Sequence, residues 1–286
     1  MAHAETSGSR AVTLLGAAAR VARSAGLERV TWAVRDAADL PFLLLRRPPL
    51  AVEVEGIRVH GFLRQRSDLA EIVKPGTTYR ELFLRTLEPG MTVVDAGAHV
   101  GVYTLLASRG IGPTGRVIAF EPDPYNFAAL AYNVRRAGAA NVRIVHCALG
   151  DARRPTTFHV SLSSTGSSLA RRDSTDVATT AQMTSLDEEL RGESLDSLLV
   201  KLNIEGSEPL ALAGMRETLA RASRVVLFVE VAADLLDDPR ALLRTLLAQG
   251  LAVYSIDHST QSVRPIDPDA ELVKAQLLAL RPDDLR

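Results

Sequence analysis

Residues 93–104, with the sequence VVDAGAHVGVYT, decide the fold of this 286-residue chain. The short apolar run 91–95 ends in an acidic residue, and Gly97 and Gly101 follow before a helical pattern begins. Glycine permits the tight turn that joins a buried strand to a helix. The free N–H groups of such a turn and the positive end of the helix favour a polar ligand. The segment therefore predicts the first strand–turn–helix unit of a ligand-binding α/β domain.

The frame of this turn is D-x-G-x-x-x-G, which differs from the G-x-G-x-x-G frame of dinucleotide-binding turns. The carboxylate of Asp95 would repel a pyrophosphate and attract the ammonium group of an amino acid. This difference favours S-adenosyl-L-methionine over a nicotinamide dinucleotide. An NAD-dependent oxidoreductase or epimerase is the alternative. It would need the G-x-G-x-x-G frame at this turn and a Tyr-x-x-x-Lys pair, and neither is present.

The rest of the chain alternates apolar runs of strand length with amphipathic segments of helix length, which is typical of parallel βαβ units. We therefore predict an α/β fold with a doubly wound, mostly parallel seven-stranded sheet. The run 224–231 is almost continuously apolar and reads as a central strand buried on both faces. The last run, 275–280, is predicted as an antiparallel edge strand. The strands are expected at 91–95, 116–120, 142–148, 197–204, 224–231, 251–256 and 275–280.

Two regions are predicted around this sheet. Residues 76–286 form the ligand-binding domain, and an insertion at 153–190 with a polar tip, SSTGSS, is either a lid or an incidental loop. Residues 1–75 form an N-terminal α+β cap. Its first ten or so residues are expected to be disordered, 11–39 to be helical and 51–63 to form a hairpin or a pair of short strands.

Helix-capping signals are clear in the main domain. Thr78 and Glu81 have the spacing of a capping box, which predicts a helix to about residue 87. Asp123 precedes Pro124 at the start of another helix, and Gly138 ends that helix.

Two further clusters follow predicted strands. In AFEPDP, 119–124, Glu121 is placed to accept hydrogen bonds from both ribose hydroxyls of a nucleoside; the alternative is a carboxylate that opposes a helix dipole. In HCALGD, 146–151, Ala148 and Leu149 are placed to border an adenine. Cys147 is expected to be a buried strand residue, because no basic partner is placed to lower its pKa.

The segment VKLNIEGSE, 200–208, places Asn203, Glu205 and Glu208 around a glycine directly after an apolar strand. Buried polar groups are costly unless they have partners or face a site. We therefore expect these side chains at the ligand, with Lys201 paired to one of them. Ordinary capping of the following helix is the alternative.

Composition limits the other functions. The formal net charge of −1 leaves no electrostatic footprint for nucleic acid. A single cysteine excludes an internal disulfide and a multi-cysteine zinc site, and no metal is expected. No apolar run reaches the ~18–20 residues of a membrane helix. Residues 11–19 resemble a signal sequence only weakly, so a cytoplasmic protein is expected.

Together, VVDAGAHVGVYTLLAS, AFEPDP and KLNIEGSE resemble the FkbM family of S-adenosylmethionine-dependent methyltransferases. The segments TSLDEEL, 184–190, and GMRETL, 214–219, also match, and the resemblance covers about residues 76–260. It implies the class I methyltransferase fold and O-methylation of a small-molecule hydroxyl, on a sugar, a polyketide or another secondary metabolite. A non-catalytic member that only binds the cofactor is a further alternative, and a homodimer is possible for either.

The resemblance also assigns residues. Asp95, Gly97 and Gly101 would hold the methionine end of the cofactor and Glu121 its ribose, with His99 read as a cofactor-loop residue. The family has aspartate where this chain has Asn203, which leaves Glu205 as the preferred catalytic base. Asp123 and His146 are weaker candidates for the base, and Asn203 is assigned to both catalysis and cofactor binding. The full predicted cofactor set is Asp95, Gly97, His99, Gly101, Tyr103, Glu121, Pro122, Asp123, Asn126, Ala148, Leu149 and Asn203.

Overall fold

The computed structural model of the chain describes residues 37–74, 77–161, 166–169, 176–267, 272 and 274–284. The predicted disorder of the first residues and all but the end of the predicted helix 11–39 lie outside this part. So do residues 163–165 of the polar tip.

The strands alternate with helices along most of the chain, as predicted. The strands are β1 Leu50–Val54, β2 Ile57–Gly61, β3 Thr92–Ala96, β4 Arg116–Phe120, β5 Val142–Val145, β6 Ala148–Leu149, β7 Arg154–Val160, β8 Val177–Thr184, β9 Ser197–Leu202, β10 Arg224–Ala232, β11 Ala252–Asp257, β12 Ser262–Pro265 and β13 Lys274–Leu280. The helices are α1 37–44, α2 Arg66–Ile72, α3 Thr78–Thr86, α4 Val102–Ile111, α5 Pro124–Ala137, α6 Leu186–Glu189, α7 Glu208–Ala213, α8 Arg216–Arg221 and α9 Pro239–Ala248.

One large sheet has the strand order β5-β4-β3-β9-β10-β13-β11-β12. The first five strands in this order, β5, β4, β3, β9 and β10, are parallel to one another. Strand β13 is antiparallel to both of its neighbours, β10 and β11. The α/β fold and the mostly parallel sheet are confirmed. The described sheet has eight strands rather than seven, because β12 adds a short edge by pairing with β11.

The prediction of an edge position for the last strand was wrong. Strand β13 is antiparallel, as expected, but it lies inside the sheet with a partner on each side. Leu277 and Ala279 are completely buried on one face, and Leu278 packs against the core on the other. Apolar side chains on both faces suit an interior strand, whereas an edge strand tolerates polar residues.

Helix caps follow the sequence signals with one shift. The Asp123 side chain accepts hydrogen bonds from two backbone N–H groups at the start of α5, and Gly138 ends this helix in the left-handed conformation. The cap of α3 is Thr77 rather than Thr78, since the Thr77 side chain accepts from the Arg80 N–H.

The predicted hairpin at 51–63 is confirmed by the pairing of β1 with β2. Val59, Phe62 and Leu69 of this region belong to the same buried apolar cluster as Phe228 of the central strand β10. The Asp39 carboxylate accepts the backbone N–H groups of residues 63 and 64, which form a 3-10 turn between β2 and α2. The described N-terminal residues therefore pack directly on the main sheet.

The segment 153–190, which was predicted to be an insertion, contains a hairpin. Strands β7 and β8 pair antiparallel and join β6 in a separate three-stranded sheet. Residues 162–165 and 170–175 of this hairpin lie outside the described part. The described residues 166–169 return to the main domain, and Ser168 bridges to the backbone of His159.

Candidate functional site

A cleft lies where open α/β sheets bind ligands, at the carboxyl ends of the parallel strands. Gly97 follows β3, Glu121 follows β4, Ala148 follows β5 and Asn203 follows β9. The cleft encloses about 610 Å³ of space between its residues, a volume that includes open solvent. It is lined by Gly97, His99, Phe120, Glu121, Pro122, Asn126, Ala148, Leu149, Phe158, Ser167, Leu169, Asn203, Ile204, Glu205 and Ser207.

The Gly97 turn brings two loops into direct contact. Gly97 has φ +74°, and a Cβ placed on it would lie 1.9 Å from the carbonyl oxygen of Asn203. Only glycine fits, because any side chain would displace a backbone. Gly101 has φ +92° and lies behind the cleft, where a Cβ would lie 2.7 Å from Leu130 of α5. Gly101 therefore allows α4 and α5 to pack closely and is not part of the cleft wall.

Asp95 faces the protein interior. Its Oδ1 accepts a hydrogen bond from Lys201 Nζ at 2.9 Å and its Oδ2 accepts one from Thr104 Oγ1 at 2.6 Å. The side chains of Asp95 and Lys201 are only 1% and 4% exposed. Lys201 also donates to the Gly97 carbonyl at 3.2 Å. Lys201 thus pairs with Asp95, and the prediction that it pairs with a group at 203–208 was wrong.

Two other predicted residues also lie behind the wall. Tyr103 packs edge-to-face against Tyr79 and Phe83, with ring centroids 5.8 and 5.0 Å apart. Asp123 is fully buried, where it caps α5 and accepts a hydrogen bond from Ser167 Oγ at 3.0 Å. Both side chains support the cleft from the interior.

Glu121 is the buried carboxylate of the cleft wall. Its Oε2 accepts from the His99 N–H at 2.7 Å and its Oε1 from the Asp123 N–H at 2.9 Å. The amide of Asn126 donates a further hydrogen bond. Burial, and then the charge of Asp123, raise the pKa of Glu121 to about 8. The carboxylate is held by loops that follow two neighbouring strands, which fixes its direction.

The adjacent wall is apolar. Phe120, Ala148, Leu149 and Phe158 are all buried residues that border the cleft. They form an aliphatic and aromatic part of the cleft lining, to which Glu121 also belongs. Such a surface suits the ring system of a nucleoside base.

The prediction that Cys147 is a buried strand residue was wrong. Cys147 lies partly exposed in a bend between β5 and β6, and burial raises the pKa of its thiol. The neighbouring His146 is exposed and stacks on Phe127, with ring centroids 4.4 Å apart. Neither residue lines the cleft.

The loop 203–207 forms the opposite wall. Glu208 is fully buried, and its carboxylate accepts the N–H groups of Ile204 and Gly206 at 3.2 and 3.0 Å. Burial raises the pKa of Glu208 to about 7. Glu208 therefore braces the loop before α7 and does not line the cleft, so the prediction that it faces the ligand was wrong. It does not cap the helix either, because the N-cap is Ser207, which makes no side-chain cap hydrogen bond. Glu205 lies on the cleft with φ +53°, a strained conformation for a non-glycine residue.

Asn203 lines the cleft, and its Nδ2 donates to Glu230 Oε2 at 2.9 Å. Glu230 is a polar residue that the sequence analysis left out of the site. Its signal was a single acid in an otherwise apolar strand. An amide at 203 can donate to this carboxylate, whereas an aspartate there would repel it.

His99 connects the cleft to the N-terminal residues. It has φ +55°, and its Nε2 lies 3.6 Å from Asp68 Oδ2 of α2. Burial lowers the pKa of His99 to about 4, so the imidazole is neutral at pH 7. His99 therefore links the Gly97 turn to helix α2 of the N-terminal residues.

Sequence reasoning thus placed nine of its site residues on the cleft and missed six others that line it. Phe120, Ile204 and Ser207 are sequence neighbours of predicted site residues, so their position at the ends of strands could have indicated that they line the cleft. No local sequence signal could have identified Phe158, Ser167 and Leu169, because their position at the cleft depends on long-range packing of the hairpin. The missed residues are Phe120, Phe158, Ser167, Leu169, Ile204 and Ser207.

Within the described ranges, no three His, Cys, Asp or Glu side chains are grouped as metal ligands. Across those same residues, no helix combines the length and apolar character needed to cross a bilayer.

Residues 95–250, more than half of the chain, match the family model described as "Methyltransferase FkbM domain". A curated relative, 31-O-demethyl-FK506 methyltransferase FkbM of Streptomyces tacrolimicus, is 41% identical over 91 residues. That match covers 28% of this chain and 34% of the relative, so the chain spans about a third of the length of that protein.

Two solved structures are similar. A SAM-dependent methyltransferase from Aquifex aeolicus has a TM-score of 0.45 and 13% identity, covering 75% of this chain and 96% of that one. Methyltransferase FkbM from Methylobacillus flagellatus has a TM-score of 0.45 and 19% identity, covering 87% of this chain and 60% of that one.

We predict that Lys201→Met lowers the free energy of unfolding by about 3–5 kcal/mol, because it leaves the Asp95 carboxylate buried without its cation. Urea denaturation at pH 7 measures this. The double variant Asp95→Asn/Lys201→Met removes both charges and should regain most of the loss. A double variant as unstable as the single one would contradict the ion-pair explanation.

We also predict that Glu121 makes stability fall with rising pH. Its ordinary pKa of 4.5 applies in the unfolded chain, and the folded value is about 8. Between these pH values the unfolded chain has released the proton and the folded chain still holds it. The free energy of unfolding therefore falls, by at most about 1.4 kcal/mol per pH unit.

Chemical denaturation from pH 5 to 8 of wild type and Glu121→Gln tests this. The stability of the wild type relative to the variant should decrease steadily across the range. Glu53→Gln, which changes an exposed carboxylate, is the control and should track the wild type. A constant difference between wild type and Glu121→Gln would show that Glu121 is ionised throughout.

Proposed function

The chain belongs to the FkbM methyltransferase family, whose methyl donor is S-adenosyl-L-methionine, and we propose that it methylates a hydroxyl oxygen of a small-molecule acceptor. The observation that carries this proposal is one cleft that joins a buried carboxylate, Glu121, to a second acid, Glu205, across the Gly97 turn. The curated relative is named as a methyltransferase for a 31-O-demethyl compound, and this name supports oxygen as the atom that is methylated.

The residues of the cleft fit the cofactor. We propose that Glu121 accepts the ribose hydroxyls and that the apolar wall borders the adenine. Gly97 and Asn203 both line the cleft where their two loops meet, and we assign the methionine end to this part of the cleft. His99, Pro122, Asn126 and Asn203 complete the lining.

The remaining predicted residues are proposed to act from behind. Asp95 carries a charge that Lys201 balances, so it holds the Gly97 carbonyl in place through that lysine. Gly101, Tyr103 and Asp123 fix the helices from which the loops extend. The ammonium of the cofactor is then left to groups of the turn rather than to Asp95.

The bound cofactor supplies an electrophilic methyl group on a sulfonium. The protein must align the acceptor hydroxyl with that carbon and accept the hydroxyl proton. We propose Glu205 as the base because it lies on the cleft in a loop braced by Glu208. Asn203 cannot serve as a base, since an amide does not take up a proton near pH 7, and its proposed catalytic role is orientation.

Calorimetric titration with S-adenosylhomocysteine tests the cofactor assignment. At pH 9, above the pKa of about 8 at which Glu121 ionises, wild type should bind and Glu121→Ala should bind at least about tenfold more weakly, because hydrogen bonds to a charged group contribute about 1.5–3 kcal/mol. Glu53→Ala changes an exposed carboxylate and is the control. An affinity in Glu121→Ala equal to that of wild type would remove the ribose assignment.

Transfer of labelled methyl from S-adenosylmethionine to a panel of sugars and polyketides tests the reaction. The label should appear as an O-methyl group by NMR. Glu205→Gln should lower kcat about 10²–10⁴-fold while S-adenosylhomocysteine affinity stays near wild type. Label on nitrogen or carbon would refute O-methylation, and tight cofactor binding without any transfer would favour the non-catalytic alternative.

A further inference from the structure

The N-terminal residues 64–68 lie outside the part of the chain that matches the family, yet their side chains reach three residues of the cofactor cleft and its support. Gln65 Nε2 donates to Asn126 Oδ1 at 2.8 Å. Arg64 lies 3.5 Å from Asp123, and Asp68 lies 3.6 Å from His99. The three contacts are buried or nearly so, which makes this segment part of the cleft support.

The Gln65 contact is the most specific of the three. Gln65 is fully buried in the 3-10 turn before α2, and its Oε1 accepts the backbone N–H of Phe62 at 2.7 Å. This bond fixes the direction of the Gln65 amide, because a flipped amide would point its NH₂ group at another donor. Nε2 must therefore face Asn126.

The direction of the Asn126 amide follows from this. Asn126 is 2% exposed, and its Oδ1 is taken by Gln65. Its Nδ2 is the remaining side-chain donor, and Asn126 makes a hydrogen bond to Glu121 that favours the charged carboxylate. The two amides form a relay of fixed polarity from the Phe62 backbone to the Glu121 carboxylate.

We propose that Gln65 is a positioning residue for the cofactor: it orients the Asn126 amide so that Nδ2 donates to Glu121 and holds that carboxylate for the ribose hydroxyls. This inference rests on the proposed function, in which Glu121 accepts the ribose. It assigns the N-terminal segment a part in cofactor binding as well as in packing.

The variant Gln65→Glu separates these two parts. A glutamate keeps the acceptor for the Phe62 N–H and removes the donor to Asn126. The Asn126 amide should then turn, donate to the new carboxylate and present its Oδ1 to Glu121. At pH 9, where Glu121 is ionised, we expect about tenfold weaker binding of S-adenosylhomocysteine, the size of a lost hydrogen bond to a charged group. Gln182→Glu, on an exposed position of β8, is the matched control.

A double-mutant cycle with Asn126→Ala tests whether Gln65 acts through Asn126. In the Asn126→Ala background, Gln65→Glu should have no further effect on the affinity. The 2′,3′-dideoxy analogue of S-adenosylhomocysteine provides a second readout. Gln65→Glu should weaken binding of the parent compound and leave that of the analogue unchanged, which general destabilisation of the fold would not do.

Effects of the two substitutions that multiply, equal weakening for both ligands, or wild-type affinity in Gln65→Glu would each overturn the proposal. If Gln65→Glu does not fold, Gln65→Met takes its place in the same cycle with the same criteria. Binding by Glu121→Ala shows which of the two proposals fails, the ribose site or the positioning role of Gln65. Wild-type affinity in Glu121→Ala refutes the proposed ribose site, whereas a loss there with no effect at Gln65 refutes this inference alone.

Discussion

The cleft depends on the buried ion pair between Asp95 and Lys201. The two residues face each other across neighbouring strands β3 and β9, and their Cα atoms are direct partners in the parallel register. A buried charge is tolerated only with its partner and further hydrogen bonds, and Thr104 and the Gly97 carbonyl provide these. The pair therefore fixes β3, β9, helix α4 and the glycine turn relative to one another, and the close approach of that turn to the 203 loop requires all four.

Two buried carboxylates near this pair show how burial alone does not define a role. Glu208 directs both oxygens at backbone N–H groups of its own loop, so its hydrogen bonds stabilise local structure. Glu121 also accepts backbone N–H groups, but these come from loops after two different strands, and it lies on the cleft wall. The pKa values of both groups are raised by burial. Their surroundings, rather than their acidity, distinguish the brace from the ligand-binding group.

Most of the sheet and the location of the cleft could be predicted from the sequence, because strand periodicity, the Asp123 cap and strand-end polar residues are local signals. The direction of the Asp95 side chain could not, since it depends on Lys201, a residue 106 positions away. The same limit applies to Phe158 and to Gln65, which reach the cleft through a hairpin and a turn packed against it. The interior position of β13 could not be predicted from the sequence either, because the order of strands in a sheet depends on which strand edges are still unpaired after the other strands have paired.

That place of β13 has a consequence for biosynthesis. Strand β13 pairs with β10 on one side and β11 on the other, so β11 has no link to the parallel strands without it. A chain grows from its N-terminus, and the parallel strands are synthesised before residues 274–280. Until these residues leave the ribosome, the edge of β10 that later pairs with β13 presents unpaired backbone N–H and C=O groups. The nascent chain therefore exposes a strand edge, open to pairing with other chains, until β13 has been synthesised and has paired with β10.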